Sequence, residues 1–214
     1  MSKLIDLFYT LEKSSIKWNT YFDVYERHLS KFVGKSPKIL EIGVLDGGSI
    51  ELWLKYFGKD TTIVGLDINP KNFTYDGNVT FEQGDQGDHD FWDSFLSRHG
   101  TFDIVIDDGG HTMHQQNTTL HKVFPSINEG GVVIIEDTHT SYWADWGGIP
   151  TSPTTFLNNS KKLTDVVNRH HFKGEVLDND TLNNFADLYS VSFYNSVVVF
   201  EKRKEESFVC LKSK

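Results

Sequence analysis

Short apolar runs alternate with longer amphipathic segments through the central part of the chain, and this alternation strongly limits the possible folds. The apolar runs predict five strands, at residues 38–42, 61–67, 79–83, 102–106 and 131–135. Apolar residues at helical spacing predict helices over residues 47–57, 88–99 and 113–123, with a further helix over 154–169. Strands that alternate with helices in this way form a parallel sheet with helices on both faces.

The last apolar runs predict a different kind of pairing. Residues 188–194 and 197–201 flank the dipeptide Asn195-Ser196, which is typical of a tight hairpin turn. This arrangement predicts a closing antiparallel hairpin. The expected fold is therefore a Rossmann-like α/β fold with a mostly parallel, seven-stranded sheet and a C-terminal antiparallel hairpin.

The domain organisation follows from length and composition. The chain has 214 residues, and no linker rich in proline or serine divides it, which favours one domain with a full core. Residues 1–35 are rich in aromatic and charged side chains and predict an N-terminal helical extension that caps the sheet or its ligand cleft. Residues 36–204 are expected to form the main domain, and 205–214 a C-terminal tail.

Charge and cysteine content limit the location and the partners. The formal net charge of −9 argues against nucleic acid as the main partner, because phosphate contacts need clustered Lys and Arg. The single cysteine, Cys210, agrees with a reducing compartment. No apolar run has membrane-spanning length, and no leader opens the chain. We expect a cytoplasmic protein that binds neither nucleic acid nor membrane and that is able to form a homo-oligomer.

A glycine-containing turn after the first strand predicts a nucleoside site. The pattern is Glu41-x-Gly43 followed by Gly47, where glycines let a ligand approach the backbone. A dinucleotide fingerprint has glycine where this chain has Glu41, and a carboxylate there would repel a pyrophosphate. It suits instead the ammonium and sulfonium groups of S-adenosylmethionine. An ordinary strand-to-helix turn is the alternative interpretation.

Polar residues at the ends of the next two strands support the nucleoside site. Asp67 ends the second strand, where an acid accepts hydrogen bonds from ribose hydroxyls, and Ile68 follows it. Asp85 and Gln86 follow the third strand, where they are expected to meet the adenine edge. Helix capping alone is a possible role for Asp67, but it does not account for all three strand ends.

Two clusters of acidic residues follow the fourth and fifth strands. Asp107, Asp108 and His111 form the first cluster, and Glu136 and Asp137 form the second. Because the carboxyl ends of parallel strands meet at one edge, these groups are expected to converge. A set of oxygen ligands predicts a Mg²⁺ site with positions open to water and substrate.

Other interpretations of these clusters remain open. An iron centre with two histidines and one carboxylate would need His111 together with His139 or His114. Each residue also has a purely structural interpretation, such as a helix cap or an ion pair with a lysine.

The motifs around these residues resemble a known family. They are Leu40-Glu-Ile-Gly-Val44, Gly84-Asp-Gln86, Ile106-Asp-Asp-Gly-Gly-His111 and Glu136-Asp-Thr-His-Thr-Ser-Tyr-Trp143. They look like those of the Mg²⁺-dependent sugar O-methyltransferases of macrolide biosynthesis, a group of class I methyltransferases that includes rhamnosyl O-methyltransferases and cephalosporin-hydroxylase-type proteins. The similarity covers roughly residues 18–202. The macrolide enzymes carry a large N-terminal addition that this sequence lacks, so substrate and oligomeric state are not carried over.

The resemblance implies roles for particular residues. It implies that Asp108, Glu136 and Asp137 bind the metal and that His111 is the general base. It also implies that Glu41, Asp67 and the turn at residues 84–86 hold the methyl donor.

The functional hypothesis is an adenosylmethionine- and Mg²⁺-dependent O-methyltransferase that acts on a sugar or glycosylated small molecule. Asp107 is expected to orient the donor or the acceptor. His139, Tyr142 and Trp143 follow the second acidic cluster and are candidate substrate contacts, the aromatic rings as part of a lid. The alternatives are a catechol-type O-methyltransferase, a non-catalytic adenosylmethionine-binding protein and an iron-dependent oxygenase.

Overall fold

A seven-stranded mixed sheet forms the centre of the computed structural model, which describes residues 4–173, 177–204 and 209–213. The strands are β1 (Lys38–Ile42), β2 (Thr62–Asp67), β3 (Asn78–Gln83), β4 (Phe102–Asp107), β5 (Ile127–Ile135), β6 (Leu188–Tyr194) and β7 (Val197–Lys202). Their order is β3-β2-β1-β4-β5-β7-β6. The first five strands are parallel, and β7 is antiparallel to both β5 and β6. The predicted fold and its closing hairpin are confirmed.

Helices cover both faces of the sheet. They are α1 (Leu4–Phe8), α2 (Tyr21–Leu29), α3 (Gly48–Phe57), α4 (His89–His99), α5 (Met113–Val123), α6 (Phe156–Val167) and α7 (Asn179–Asn184). One core contains residues of α4, α5 and α6, and the other contains residues of α1, α2 and α3. Alternate residues of β1 enter opposite cores, because side chains alternate across a strand: Leu40 packs into the first and Ile39 into the second.

Two helix starts follow from local hydrogen bonding. The side chain of Asp88 accepts hydrogen bonds from the N–H groups of Asp90 and Phe91, so the predicted cap of α4 is confirmed. Thr112 and Gln115 form a capping box at the start of α5.

The buried face of α4 differs in part from the prediction. Phe95 is fully buried as expected, but Phe91 and Leu96 are only partly buried. Trp92, which was not predicted to face inward, is fully buried because its Nε1 donates a hydrogen bond to the carbonyl oxygen of Gln86, 2.9 Å away. A polar atom at its tip therefore lets the large ring enter the core.

The N-terminal segment packs against the sheet through α2, whose residues Tyr21, Phe22 and Tyr25 are buried. An irregular stretch, residues 12–18, connects α1 to α2 and is here named the strap. The division of the chain into extension, main domain and tail stays a prediction, and residues 205–208 and 214 of the tail lie outside the described part. Among the described residues, no helix combines the length and the apolar character needed to cross a bilayer.

The sheet order creates a crevice at the carboxyl end of β1. Its neighbours, β2 and β4, lead into connections that run away from β1 in opposite directions. Open α/β sheets bind ligands at such switch points. The predicted functional residues lie at this edge.

Candidate active site

A cavity of about 410 Å³ lies at the carboxyl ends of β1, β2 and β4. Residues predicted to hold the methyl donor line it: Gly43, Asp67, Ile68, Asp85 and Gln86. Three residues of the acidic clusters line it as well: Asp108, His111 and Asp137. Residues of the two sites that were predicted separately therefore line one cavity.

Asp67 is fixed at the wall of this cavity by the turn that follows β1. Its Oδ2 accepts hydrogen bonds from the backbone N–H groups of Val44 at 3.0 Å and Leu45 at 3.2 Å. Its Oδ1 accepts from the N–H of Asn69 at 2.9 Å, and Lys71 Nζ lies 3.3 Å from Oδ2. The carboxylate is thus rigidly placed, and its role toward a ribose stays a prediction.

Gly43 brings the loops after β1 and β4 together. Its φ of +87° lies in the left-handed region that favours glycine. A Cβ atom added there would lie 2.0 Å from the carbonyl oxygen of Asp108. The loop after β4 therefore packs directly on the backbone of the turn after β1.

We expect Gly43→Ala to lower the free energy of unfolding by on the order of 2 kcal/mol or more, because it combines backbone strain with a backbone clash. Urea denaturation measures this loss. Gly34→Ala is the matched control, since Gly34 has a φ of +76° and nothing within 4 Å of its added Cβ. Equal losses in the two variants would contradict the steric explanation.

Asp107 and Asp108 occupy different surroundings, as their alternation along the chain suggests. Asp107 is buried, and its carboxylate accepts hydrogen bonds from Gln86 Nε2 at 2.9 and 3.0 Å and from the N–H of Gly109 at 3.1 Å. Burial raises the pKa of Asp107, although the Gln86 hydrogen bonds oppose this. Gln86 Oε1 in turn accepts from the N–H of Gly110 at 2.7 Å. Asp107 thus supports the loop through Gln86 and is not among the residues that line the cavity.

Glu41 also lies away from the cavity wall. It is fully buried on the face of β1 that packs against α3, where Trp53 Nε1 donates a hydrogen bond to its Oε2. Burial raises the pKa of its carboxyl to about 7. Its Oε1 is buried and has no hydrogen-bond partner among the described residues. The predicted contact of Glu41 with the donor therefore stays a prediction. Oε1 is the oxygen that could accept a hydrogen bond in such a contact.

Gly47 has a supporting place at the start of α3. It is the residue directly before the helix and has a φ of +84°. The hydroxyl of Tyr75 donates a hydrogen bond to the Gly47 carbonyl oxygen, 2.7 Å away. Gly47 is not among the residues that line the cavity.

Two aliphatic side chains at the cavity were not predicted. Ile16 of the strap and Leu45 of the turn after β1 line it and are 78% and 57% exposed. Ile68, which was predicted, is 60% exposed beside them. These three exposed aliphatic side chains give the cavity an apolar rim. The position of Leu45 inside the glycine turn was a usable signal, whereas nothing in the sequence near Ile16 linked it to the site.

Asp108, His111 and Asp137 form the group of potential metal ligands. One ligand atom from each lies within 4.8 Å of the other two. His111 Nε2 is 3.7 Å from Asp108 Oδ1 and 3.5 Å from Asp137 Oδ2. His111 and Asp137 both have left-handed backbones, with φ of 56° and 52°. Such conformations are unfavourable for residues other than glycine and are concentrated at functional sites.

Glu136 differs from the other predicted ligands, because the structure does not include it in this group. Its buried carboxylate receives a hydrogen bond from Tyr25 at Oε1, 2.5 Å away, and from Lys17 Nζ at Oε2, 2.8 Å away. Burial raises the pKa of Glu136 to about 8, while the ammonium of Lys17 opposes that rise. Both oxygens are therefore engaged by side chains from the N-terminal segment.

His139 and His114 do not belong to this group, although His139 Nδ1 lies 4.0 Å from Asp137 Oδ1. His139 Nδ1 is 2.5 Å from Ser196 Oγ, and His114 Nε2 is 2.9 Å from the carbonyl oxygen of Gly87. Within the described ranges, the group of possible ligands contains the single histidine His111. The two-histidine arrangement that an iron centre needs is thus not assembled by these residues.

A second cavity, of about 430 Å³, contains two of the three predicted substrate contacts. His139 and Trp143 line it together with Trp18, Tyr21 and Ser196, whereas Tyr142 is exposed and is not a lining residue. The rings of His139 and Trp143 pack edge to face with centroids 4.4 Å apart.

Tyr21 connects the second cavity to the group of potential metal ligands. Its hydroxyl donates a hydrogen bond to Asp137 Oδ1 at 2.5 Å and lies 3.0 Å from Ser196 Oγ. Burial raises the pKa of Tyr21, and the hydrogen bond to Asp137 raises it further, so the hydroxyl stays protonated.

The donor atoms present fit a hard divalent cation. The carboxylates of Asp108 and Asp137 converge beside the imidazole of His111, whose ring Nδ1 is buried without a partner among the described residues. Oxygen-rich sets of this kind suit Mg²⁺. The cavity at the carboxyl ends of β1 and β2 is lined by the carboxylate of Asp67, the amide of Gln86 and the apolar rim described above. These groups fit a nucleoside.

Comparison with known proteins identifies the domain. Residues 40–138 match the family model described as a methyltransferase domain. Demethylmacrocin O-methyltransferase of Streptomyces fradiae is 32% identical over 94% of this chain and 53% of its own length. The 8-demethyl-8-(2-methoxy-alpha-L-rhamnosyl)-tetracenomycin-C 3'-O-methyltransferase of Streptomyces olivaceus is 30% identical over 86% of this chain and 50% of its own length.

A solved structure shows the same architecture. MycE methyltransferase from the mycinamycin biosynthetic pathway, in complex with Mg, SAH and mycinamycin VI, superposes with a TM-score of 0.80. It is 30% identical in sequence, and the match covers 95% of this chain and 54% of that one. The chain spans about half the length of the curated relatives it matches. The chain thus contains a methyltransferase domain with the class I methyltransferase fold, and its homologues are sugar O-methyltransferases.

Proposed function

We propose that this protein is an S-adenosylmethionine- and Mg²⁺-dependent O-methyltransferase that methylates a hydroxyl of a sugar or glycosylated small molecule. The observation that carries this proposal is the shared cavity. It combines the donor-type wall at Asp67 and Gln86 with the ligand group Asp108, His111 and Asp137. The relatives named above support it, since both are O-methyltransferases by name and one name includes a rhamnosyl group on the substrate.

Different residues are assigned to the donor and to the cation. Asp67, Asp85 and Gln86 bind the nucleoside part of the donor, and Ile16, Leu45 and Ile68 pack on its apolar surface. Asp108 and Asp137 would hold the cation, and Glu136 would join them once Lys17 released it. A bound cation would supply Lewis acidity that makes a chelated hydroxyl easier to deprotonate, and the donor would supply an electrophilic methyl group.

His111 acts as the general base. Its Nε2 lies within 4 Å of the carboxylates of Asp108 and Asp137, the residues that would hold the cation. It accepts the hydroxyl proton while the oxygen forms a bond to the methyl carbon and the carbon–sulfur bond breaks. S-adenosylhomocysteine and the methyl ether are the products, with the proton on His111.

The second cavity is the proposed acceptor site. It adjoins Asp137 through Tyr21 and carries the rings of Trp18 and Trp143, which are 62% and 50% exposed. Exposed indole rings with nearby hydroxyl and imidazole groups suit a sugar, which has apolar faces and polar edges. This assignment extends the predicted substrate roles of His139 and Trp143 to Trp18.

The function is tested by release of S-adenosylhomocysteine from S-adenosylmethionine in the presence of Mg²⁺. We expect turnover with glycosides or sugar nucleotides that carry neighbouring hydroxyls, and its loss after chelation with EDTA. A panel of catechols is the matched comparison, because they also present two neighbouring hydroxyls. Turnover of catechols alone would favour a catechol-type enzyme. Donor binding without turnover of any acceptor would favour a binding protein.

A further inference from the structure

The ammonium group of Lys17 lies inside the candidate metal site. Its Nζ is 2.6 Å from Asp108 Oδ2 and 2.8 Å from Glu136 Oε2, and its side chain is only 2% exposed. Two of the three carboxylates that the family pattern assigns to the metal are therefore paired with one cation of the chain itself. Lys17 belongs to the strap, far from both partners in sequence.

We propose that Lys17 is the built-in counter-cation of the metal-free site, and that a divalent ion must displace its ammonium from Glu136 and Asp108 to complete its own coordination. This inference rests on the metal site of the proposed function. It makes Lys17 a positioning residue, which acts on the reaction through the two carboxylates.

Displacement follows from the hydrogen bonds of Glu136. Tyr25 engages Oε1 and Lys17 engages Oε2, and the ammonium occupies the space between Glu136 and Asp108 that a cation bound to both would need. Glu136 accordingly lies outside the ligand group while both contacts persist. Asp108 is different, because Lys17 contacts only its Oδ2. Its Oδ1 faces His111 and lies 3.7 Å from Nε2. The cation can thus begin to bind at Asp108 and Asp137 and gains Glu136 when the ammonium leaves.

Lys17 is not required to hold the carboxylates in place. Asp108 N–H bonds to the carbonyl oxygen of Ile42, and Glu136 N–H bonds to that of Asp107, each at 2.9 Å. These backbone contacts at the ends of β4 and β5 fix both residues, and Tyr25 orients the side chain of Glu136. Repulsion between the ammonium and a divalent ion is therefore expected to outweigh any loss of preorganisation when Lys17 is replaced.

The strap links the position of Lys17 to the wall of the donor cavity. One end of the strap is anchored to α3, because the N–H groups of Glu12 and Lys13 donate to the Glu51 carboxylate and Gly48 N–H donates to the carbonyl oxygen of Ser14. Ile16, directly before Lys17, lines the donor cavity. Movement of Lys17 changes the wall against which the donor packs, which couples metal binding to the donor site.

The test is Mn²⁺ binding to Lys17→Met, followed by electron paramagnetic resonance. Methionine keeps an unbranched side chain and removes the charge, so we expect Mn²⁺ affinity to rise about tenfold or more. Lys13→Met is the matched control, since it removes a charge from the same strap at a residue whose ammonium lies over the ring of Tyr75. We expect its affinity to match wild type. Equal or weaker Mn²⁺ binding by Lys17→Met would overturn the proposal.

Hydrogen–deuterium exchange of the wild-type protein provides a second readout that does not need the variant to fold. We expect amides of residues 15–19 to exchange faster when Mn²⁺ is added, because the strap loses its buried ion pairs. Unchanged exchange at saturating Mn²⁺ would also overturn the proposal. If wild-type protein binds no Mn²⁺ at all, the metal site itself is refuted and the proposed function fails with it. Mn²⁺ binding with unchanged exchange refutes only the role of Lys17.

Discussion

Replacement of His111 by alanine is expected to lower turnover by about 10²–10⁴-fold, the usual contribution of a general base. Affinity for the donor should change little, because the nucleoside contacts are assigned to Asp67, Asp85 and Gln86. The imidazole Nε2 faces the carboxylates of Asp108 and Asp137, where the reacting hydroxyl is proposed to bind. Single-turnover kinetics measure the chemical step, and isothermal titration calorimetry measures donor binding.

The matched control is His89→Ala. His89 is exposed at the start of α4 and lies outside both cavities, so its loss should leave turnover near the wild-type value. A His111 variant that retains more than about a tenth of wild-type turnover would contradict the base assignment. An equal loss of donor affinity and turnover would instead indicate that His111 mainly shapes the cavity.

Replacement of Asp137 by asparagine is expected to weaken Mg²⁺ binding by at least about 100-fold and to abolish Mg²⁺ activation, because it removes a charged ligand rather than a residue that only supports one. Tyr21→Phe should have the smaller effect of about 10–100-fold, since it removes the hydrogen bond to Asp137 and leaves the carboxylate in place. Mn²⁺ titration and Mg²⁺-dependent turnover give the two measurements.

Asp145→Asn is the control for the charge removed with Asp137. Asp145 is an exposed acid on the short helix that follows the metal cluster, and it is not part of the ligand group. We expect wild-type metal affinity for this variant. Activation of Asp137→Asn by Mg²⁺ at wild-type concentrations would refute the assignment of Asp137 as a ligand.

Much of the fold was predictable because its signals are local. Apolar runs and helical spacing located six of the seven strands to within one residue and the last five residues of β5. The cap at Asp88 and the turn at Ser196, which has a φ of 63°, also depend on neighbouring residues alone. The approximate position of the site was predictable as well, since parallel strands bring their carboxyl ends to one edge whatever the rest of the chain does.

Sequence alone determined the αβ order, the sheet edge that carries the site and the residue types available there. The tertiary structure decided which atoms meet: it directs Asp107 to Gln86, Glu41 to Trp53 and Glu136 to Lys17 and Tyr25. These contacts join residues from separate elements of the fold. The partner of a buried charged group is therefore set by which side chains the packing places next to it. No local pattern records that choice, because the free energy of a buried ion pair depends on the surroundings that the whole fold creates.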